Sequence, residues 1–164
     1  MLRTMRNILL ALIGLALAGC ASTPDKPLQS LDIEEIKPRY IPEENFRRIS
    51  EYLTGAENQG NRIILRSDPE TRDGYYFTLV LNQKARDLPR GTVIVGEFHT
   101  PFSADLQTYE FRIPNKLPKT QEVFVGLTGK DWSDQKSVPA AWRFTINDAN
   151  GERLAQKQSY LWSL

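Results

Sequence analysis

From Arg62 onward, apolar and polar residues alternate with a period of two, the mark of strands that bury one face. Ile63 to Leu65 makes a short first run. In the second, Tyr75, Phe77, Leu79 and Leu81 share a face. Thr92 to Phe98 is the third, with Val93 and Val95 alternating against Ile94 and Phe98. Tyr109, Phe111 and Ile113 then alternate with Glu110 and Arg112. Val123, Val125 and Leu127 lie on one side of Glu122–Leu127, and Trp142, Phe144 and Ile146 alternate with Arg143, Thr145 and Asn147. Leu154 to Trp162 completes the set. Turn-forming clusters separate the runs at Asp68–Gly74, Leu88–Gly91, Pro114–Lys119 and Asp148–Gly151, the last a short hairpin loop whose Asn or Gly can take positive φ. About seven strands at this spacing predict a mainly β domain, an antiparallel immunoglobulin-like β-sandwich. A small barrel is the competing architecture.

Ahead of the strands the period changes. Phe46, Ile49 and Leu53 recur at i, i+3 and i+7 within residues 43–54, which predicts one N-terminal helix lying against the β domain. Glu43 and Glu44 fall in its first turn, where the helix dipole favours acids. Glu44 and Arg48 are spaced to pair. Pro42 opens the segment and Gly55 closes it. Residues 21–42 carry Pro24, Pro27, Pro38 and Pro42 among mostly polar neighbours, so they read as an extended tether. Drawn out at about 3.1 Å per residue, this tether reaches on the order of 60 Å. Leu31, Ile33 and Ile36 are its exceptions, placed to lay part of it along the domain surface.

The first residues follow a third pattern. Arg3 and Arg6 precede an apolar run from Ile8 to Leu17, which ends in Leu17-Ala18-Gly19-Cys20. Basic, then apolar, then small is the order of a secretory signal peptide, and the run is shorter than the roughly 20 residues of a spanning helix. The Leu-Ala-Gly-Cys ending resembles the lipobox of bacterial lipoproteins. That resemblance covers the leader alone. It implies cleavage between Gly19 and Cys20 and diacylglycerol on the Cys20 thiol. Ala21 and Ser22 at the sorting positions imply an outer-membrane address in a Gram-negative envelope. The expected organisation is therefore a signal peptide over 1–19, a lipidated cysteine and tether over 20–42, and one domain over 43–164.

Composition narrows the chemistry. Removing residues 1–19 takes away two of 21 basic residues and none of the 20 acids, leaving a net charge of −1. This is no electrostatic footprint for nucleic acid. Cys20 is the only cysteine, so neither an intramolecular disulfide nor a four-cysteine zinc site can form. Glu97 and His99 share a strand face. With one histidine in the chain, however, a two-histidine metal set is excluded within one copy, and the pair reads as a polar strand end. Ser103 and Asp105 follow His99 closely, but without a nucleophile elbow. Gly126-Leu127-Thr128-Gly129-Lys130 lacks the spacing and the hydroxyl of a phosphate loop, and Asp131 follows its lysine. Asp68, Glu70, Asp73, Asp131 and Asp134 read as solvated acids. Tyr75, Tyr76 and Trp162 read as core residues before sugar-stacking ones. No catalytic set, metal or cofactor is expected.

The longest connection, Gly129 to Pro139, supplies the candidate binding residues Lys130, Asp131 and Trp132. A tryptophan on a polar loop is a natural recognition anchor. The bland alternative, which the usual fate of aromatics favours, folds Trp132 over the sandwich edge to close the core. The expected function is that of a lipid-anchored, non-enzymatic interaction or accessory module of the cell envelope. Its partners are the membrane, through the lipid on Cys20, and an envelope protein or glycan. A carbohydrate- or cell-wall-binding module is the first alternative and a carboxylate-based hydrolase the second. Metabolic labelling with a fatty-acid analogue should mark the wild-type chain, and Cys20→Ser should abolish the label and release the protein from the membrane fraction.

Overall fold

The computed structural model describes residues 30–132 and 134–163. The leader, Cys20 and residues 21–29 of the expected spacer lie outside them. Among the described residues eight strands form: β1 (Ile33–Ile41), β2 (Ile63–Arg66), β3 (Gly74–Leu81), β4 (Val93–His99), β5 (Gln107–Arg112), β6 (Glu122–Thr128), β7 (Ala141–Asn147) and β8 (Arg153–Gln158). They make two four-stranded sheets, in the orders β1-β3-β6-β2 and β5-β4-β7-β8. The sandwich is thus the architecture found, and no barrel closes. One pairing departs from the expected antiparallel scheme, because β2 runs parallel to β6.

The main core lies between the sheets. Tyr75, Phe77 and Leu79 of β3 stand opposite Leu127, Val125 and Val123 of β6, and Ile63 and Leu65 extend the layer. Ile94, Phe98, Phe111, Phe144 and Ile146 face them from the second sheet. Phe77 sits at the centre, its ring 5.2 Å from Phe98 and 5.1 Å from Phe144, in the tilted arrangements that aromatic pairs prefer. At one seam, Lys157 of β8 donates its ammonium to the carbonyls of Ile33 and Glu34, at 2.8 and 2.7 Å, and so stitches β8 to the start of β1.

Two expectations are corrected. The tether loses nine residues, Ile33–Ile41, to the first sheet, where Ile33 and Ile41 are buried. Pro38 does not prevent this because β1 is an edge strand, where a missing N–H costs no ladder bond. The single helix over 43–54 is broken. A 3-10 turn spans Glu43–Asn45, and α1 covers only Ile49–Thr54, starting after Arg48 in an extended conformation. Phe46 is buried as expected, but Ile49 and Leu53 are 83% and 85% exposed. The residue that α1 buries is Glu51. Arg47 pairs with Glu43, in place of the Arg48–Glu44 pair. Gly55 does close the helix, at φ 68°.

The break has a topological cause. β1 and β2 run in the same direction, since both lie parallel to β6, and parallel strands need a long return connection. Residues 42–62 provide it by crossing the outer face of the first sheet. Phe46 inserts there against Tyr76 at 4.7 Å and edge-on to Phe124 at 6.5 Å, and Ile41 and Ile64 complete a second small core. Gly126, opposite Tyr76, leaves room for the ring: a β-carbon at that position would lie 2.4 Å from it. Phe46→Ala should cost about 3–5 kcal/mol. Hydrogen exchange should then rise across residues 42–62 and at Tyr76 while the Phe77 layer stays protected.

Candidate functional site

The strand ends of the second sheet gather the chemistry-bearing residues. β4 finishes where β5 and β7 begin: Phe98 stands opposite Gln107 and Trp142, and His99 opposite Ala141. β8 finishes beside them, with Gln158 opposite Arg143. The connections 100–106 and 129–140 and the C-terminal 3-10 turn Tyr160–Ser163 therefore meet at one end of this sheet.

On its outer face Glu97 stands opposite Arg143. The guanidinium grips the carboxylate with two bonds, Nε to Oε2 at 2.5 Å and Nη2 to Oε1 at 2.7 Å, the strong bidentate form. Trp162 lies over the guanidinium at 4.6 Å, and the His99 ring is 5.3 Å from the indole. Glu97 and His99 do share a face, as expected, but the carboxylate is committed to Arg143. Ser103 is occupied locally: its Oγ accepts from the Asp105 backbone N–H and from Gln107 Nε2, both at 3.1 Å.

Trp132 takes the core-closing role. It is 3% exposed, packed against Tyr75 at 4.9 Å and Phe102 at 5.0 Å, and its indole N–H donates to the Asp134 carbonyl at 2.7 Å. A buried ring is unavailable as an exposed anchor. Lys130 is exposed and Asp131 half-buried, so the three candidate residues do not form one surface. Asp131 acts instead on Tyr109, whose hydroxyl is pushed up to about 12, first by burial and then by the neighbouring carboxylate. Two of the remaining acids, Asp68 and Asp134, serve turns. Asp68 accepts from the Glu70 N–H and the Thr71 hydroxyl, and Asp134 from the Lys136 N–H and the Ser137 hydroxyl. Gly126 lies within a strand and not in a phosphate-binding loop.

What this end does display is apolar surface. Phe102, Leu106, Val138, Tyr160 and Leu161 are exposed there, Val138 at 64% and Tyr160 at 82%. Large side chains left in water together mark a contact surface more often than scattered ones do.

A second cluster escaped the sequence reading. Under the crossover, Arg66 donates to both Glu57 oxygens, at 3.0 and 2.6 Å, and through Nε to the Tyr76 hydroxyl at 3.2 Å. Tyr76 donates to the Arg72 carbonyl at 2.7 Å. Arg72 donates to Glu51 at 2.6 Å, and the other Glu51 oxygen accepts the Arg48 and Asn58 N–H groups. These partners are 3 to 21 residues apart and follow no period. The available signal was the unbroken Ile63-Ile64-Leu65 and Tyr75-Tyr76-Phe77 runs, which require cover on both faces of the sheet. Among the described residues, no three histidine, cysteine, aspartate or glutamate side chains are grouped to hold a metal. No helix among them is long and apolar enough to cross a membrane.

Compared with known protein families, curated proteins and solved structures, the chain matches none.

Two glutamates of the crossover make stability depend on pH. The Arg72 hydrogen bond holds Glu51 below the usual carboxylate range, and the Arg66 hydrogen bond does the same for Glu57. A depressed folded value contributes stability above the unfolded carboxylate range, and that stability is lost as pH falls through the folded value. Glu51→Gln should therefore lower the melting temperature at neutral pH. Between about pH 7 and about pH 3, its melting temperature should fall less than that of the wild type.

Proposed function

We propose that this chain is a lipid-anchored lipoprotein of the bacterial cell envelope whose β-sandwich acts as a non-enzymatic interaction module. The Leu17-Ala18-Gly19-Cys20 ending supports the anchor. Ala21 and Ser22 favour an outer-membrane address. The observation that carries the interaction role is the group of exposed apolar side chains at one end of the second sheet, from Phe102 through Val138 to Tyr160 and Leu161. Aromatic and aliphatic groups of this kind become anchors when a partner removes them from water.

A carbohydrate- or cell-wall-binding module, the first alternative, would have to use aromatic residues near the strand ends, because the Trp132 ring is buried. A carboxylate-based hydrolase, the second alternative, would need two acids facing across a cleft, and it would have to draw on acids other than Glu51, Glu57 and Glu97, which are each paired with an arginine. The spacing of anchor and domain also suits a presented module. Between Cys20 and Ser30 the chain can span at most about 35 Å, which keeps the sandwich close to its lipid.

Photo-crosslinking tests this reading. A benzophenone amino acid placed at Tyr160 or at Val138 in intact envelopes should yield one recurrent protein adduct. The same group at Asn115, on the connection between β5 and β6, should not. Equal labelling from all three positions, or from none, would overturn the assignment.

A further inference from the structure

The outer face of the first sheet holds a pocket that the loop end does not share. Its volume is about 300 Å³, and Arg39, Tyr40, Asn45, Phe46, Arg62 and Phe124 line it. Its construction follows from the crossover. Arg39 projects from β1 on the same face as Tyr76, its neighbour across the ladder. Arg62 stands one residue before β2, and the chain between them brings in Asn45 and Phe46. Arg62 holds its guanidinium 5.9 Å from the Phe124 ring centroid, and Nη1 reaches the Asn45 carbonyl at 3.4 Å.

Charge balance sets this pocket apart from its surroundings. Arg47 is paired with Glu43, Arg66 with Glu57 and Arg72 with Glu51. Arg39 and Arg62 hold no carboxylate among the described residues. Two arginines thus line one cavity whose lining includes no acidic residue. Guanidinium stays protonated at any physiological pH and matches planar or tetrahedral oxyanions through paired N–H donors. The rings of Phe46 and Phe124, with Ile41 beside them, give the same cavity an apolar floor. A cavity near the small end of ligand-pocket sizes admits one ring-sized body.

We infer that this pocket binds a small anionic ligand, a phosphate or carboxylate carried on an apolar or aromatic body. The oxyanion lies between Arg39 and Arg62, and the apolar part rests on the aromatic floor. This assignment uses no property of Cys20 and stands apart from the contact surface at the second sheet.

Phenyl phosphate is the probe, titrated by calorimetry into the full chain in nonionic detergent, with the micelle blank subtracted. It should bind more tightly than inorganic phosphate, because only the former reaches the rings. Binding should weaken as salt shortens the screening length to below about 8 Å. Arg39→Gln and Arg62→Gln should each weaken it roughly tenfold, with unchanged thermal melts, and the lysine variants should recover part of the loss. Arg90→Gln, at an exposed turn outside the pocket, should leave binding intact. A second arm separates the sources of such an anion. With the chain reconstituted in phosphatidylcholine vesicles, added phosphatidylglycerol competes with phenyl phosphate if the natural ligand is a lipid headgroup and does not if it is a soluble metabolite. Either result upholds the site. It is overturned if phenyl phosphate gives no heat beyond the blank, if the two phosphates bind equally, or if neither glutamine variant changes the affinity.

Discussion

Because β1 and β2 point the same way within one sheet, the chain has to travel back along that sheet before β2 can pair. The return path covers the outer face, so the first sheet is buried on both sides and the second on only one. Tyr76 is where this requirement is met most directly. Its ring packs on Phe46 and over Gly126, and its hydroxyl joins Arg66 to the Arg72 carbonyl. Burial raises that hydroxyl to about 12, so it remains a hydrogen-bond donor throughout the physiological range. The ion pairs above it are not a free addition to stability, since removing charges from water offsets much of their attraction. Breaking one partner is a different matter, because the charge left behind is then buried without its bond. The network therefore fixes the path of the crossover more than it deepens the fold.

The two sheets divide the labour accordingly. The first, covered on its outer face, is the one that can shape a pocket between strand and crossover. The second keeps its outer face in water and gathers three connections and the chain terminus at one end. There the ion pair of Glu97 with Arg143, capped by Trp162, holds the outer surface rigid next to the exposed Tyr160 and Leu161. Rigid support beside exposed apolar groups reduces the ordering cost of association.

Strands that alternate strictly were legible, because Trp142, Phe144 and Ile146, or Tyr109 and Phe111, can bury one face only by being strands. β1 was not. Its bulge between Ile33 and Glu35 shifts the apolar residues out of period, and Pro38 with its charged neighbours imitates a tether. The helical spacing of Phe46, Ile49 and Leu53 was real as a pattern, yet only Phe46 had a core to enter once Arg48 turned the backbone. Trp132 is a case of chemistry without place: the residue type suits an anchor, but Tyr75 and Phe102 decide where the ring goes. The Glu51–Arg72 and Glu57–Arg66 pairs join residues across a turn of topology that no spacing rule encodes.

The Lys157 bridge to the first two carbonyls of β1 bears on mechanics. Were the chain held from its N-terminal side, as we propose, tension would enter the fold at Ile33 and run along β1, an edge strand. When the load leaves through the second sheet, the ladder to β3 is pulled lengthwise, so its bonds share the force in shear and do not open one at a time like a zip. The lysine fastens the very residues that would peel first, and it ties them to β8 in the opposite layer. Under such a load, the strand that most resembles a loose leash would carry the pull.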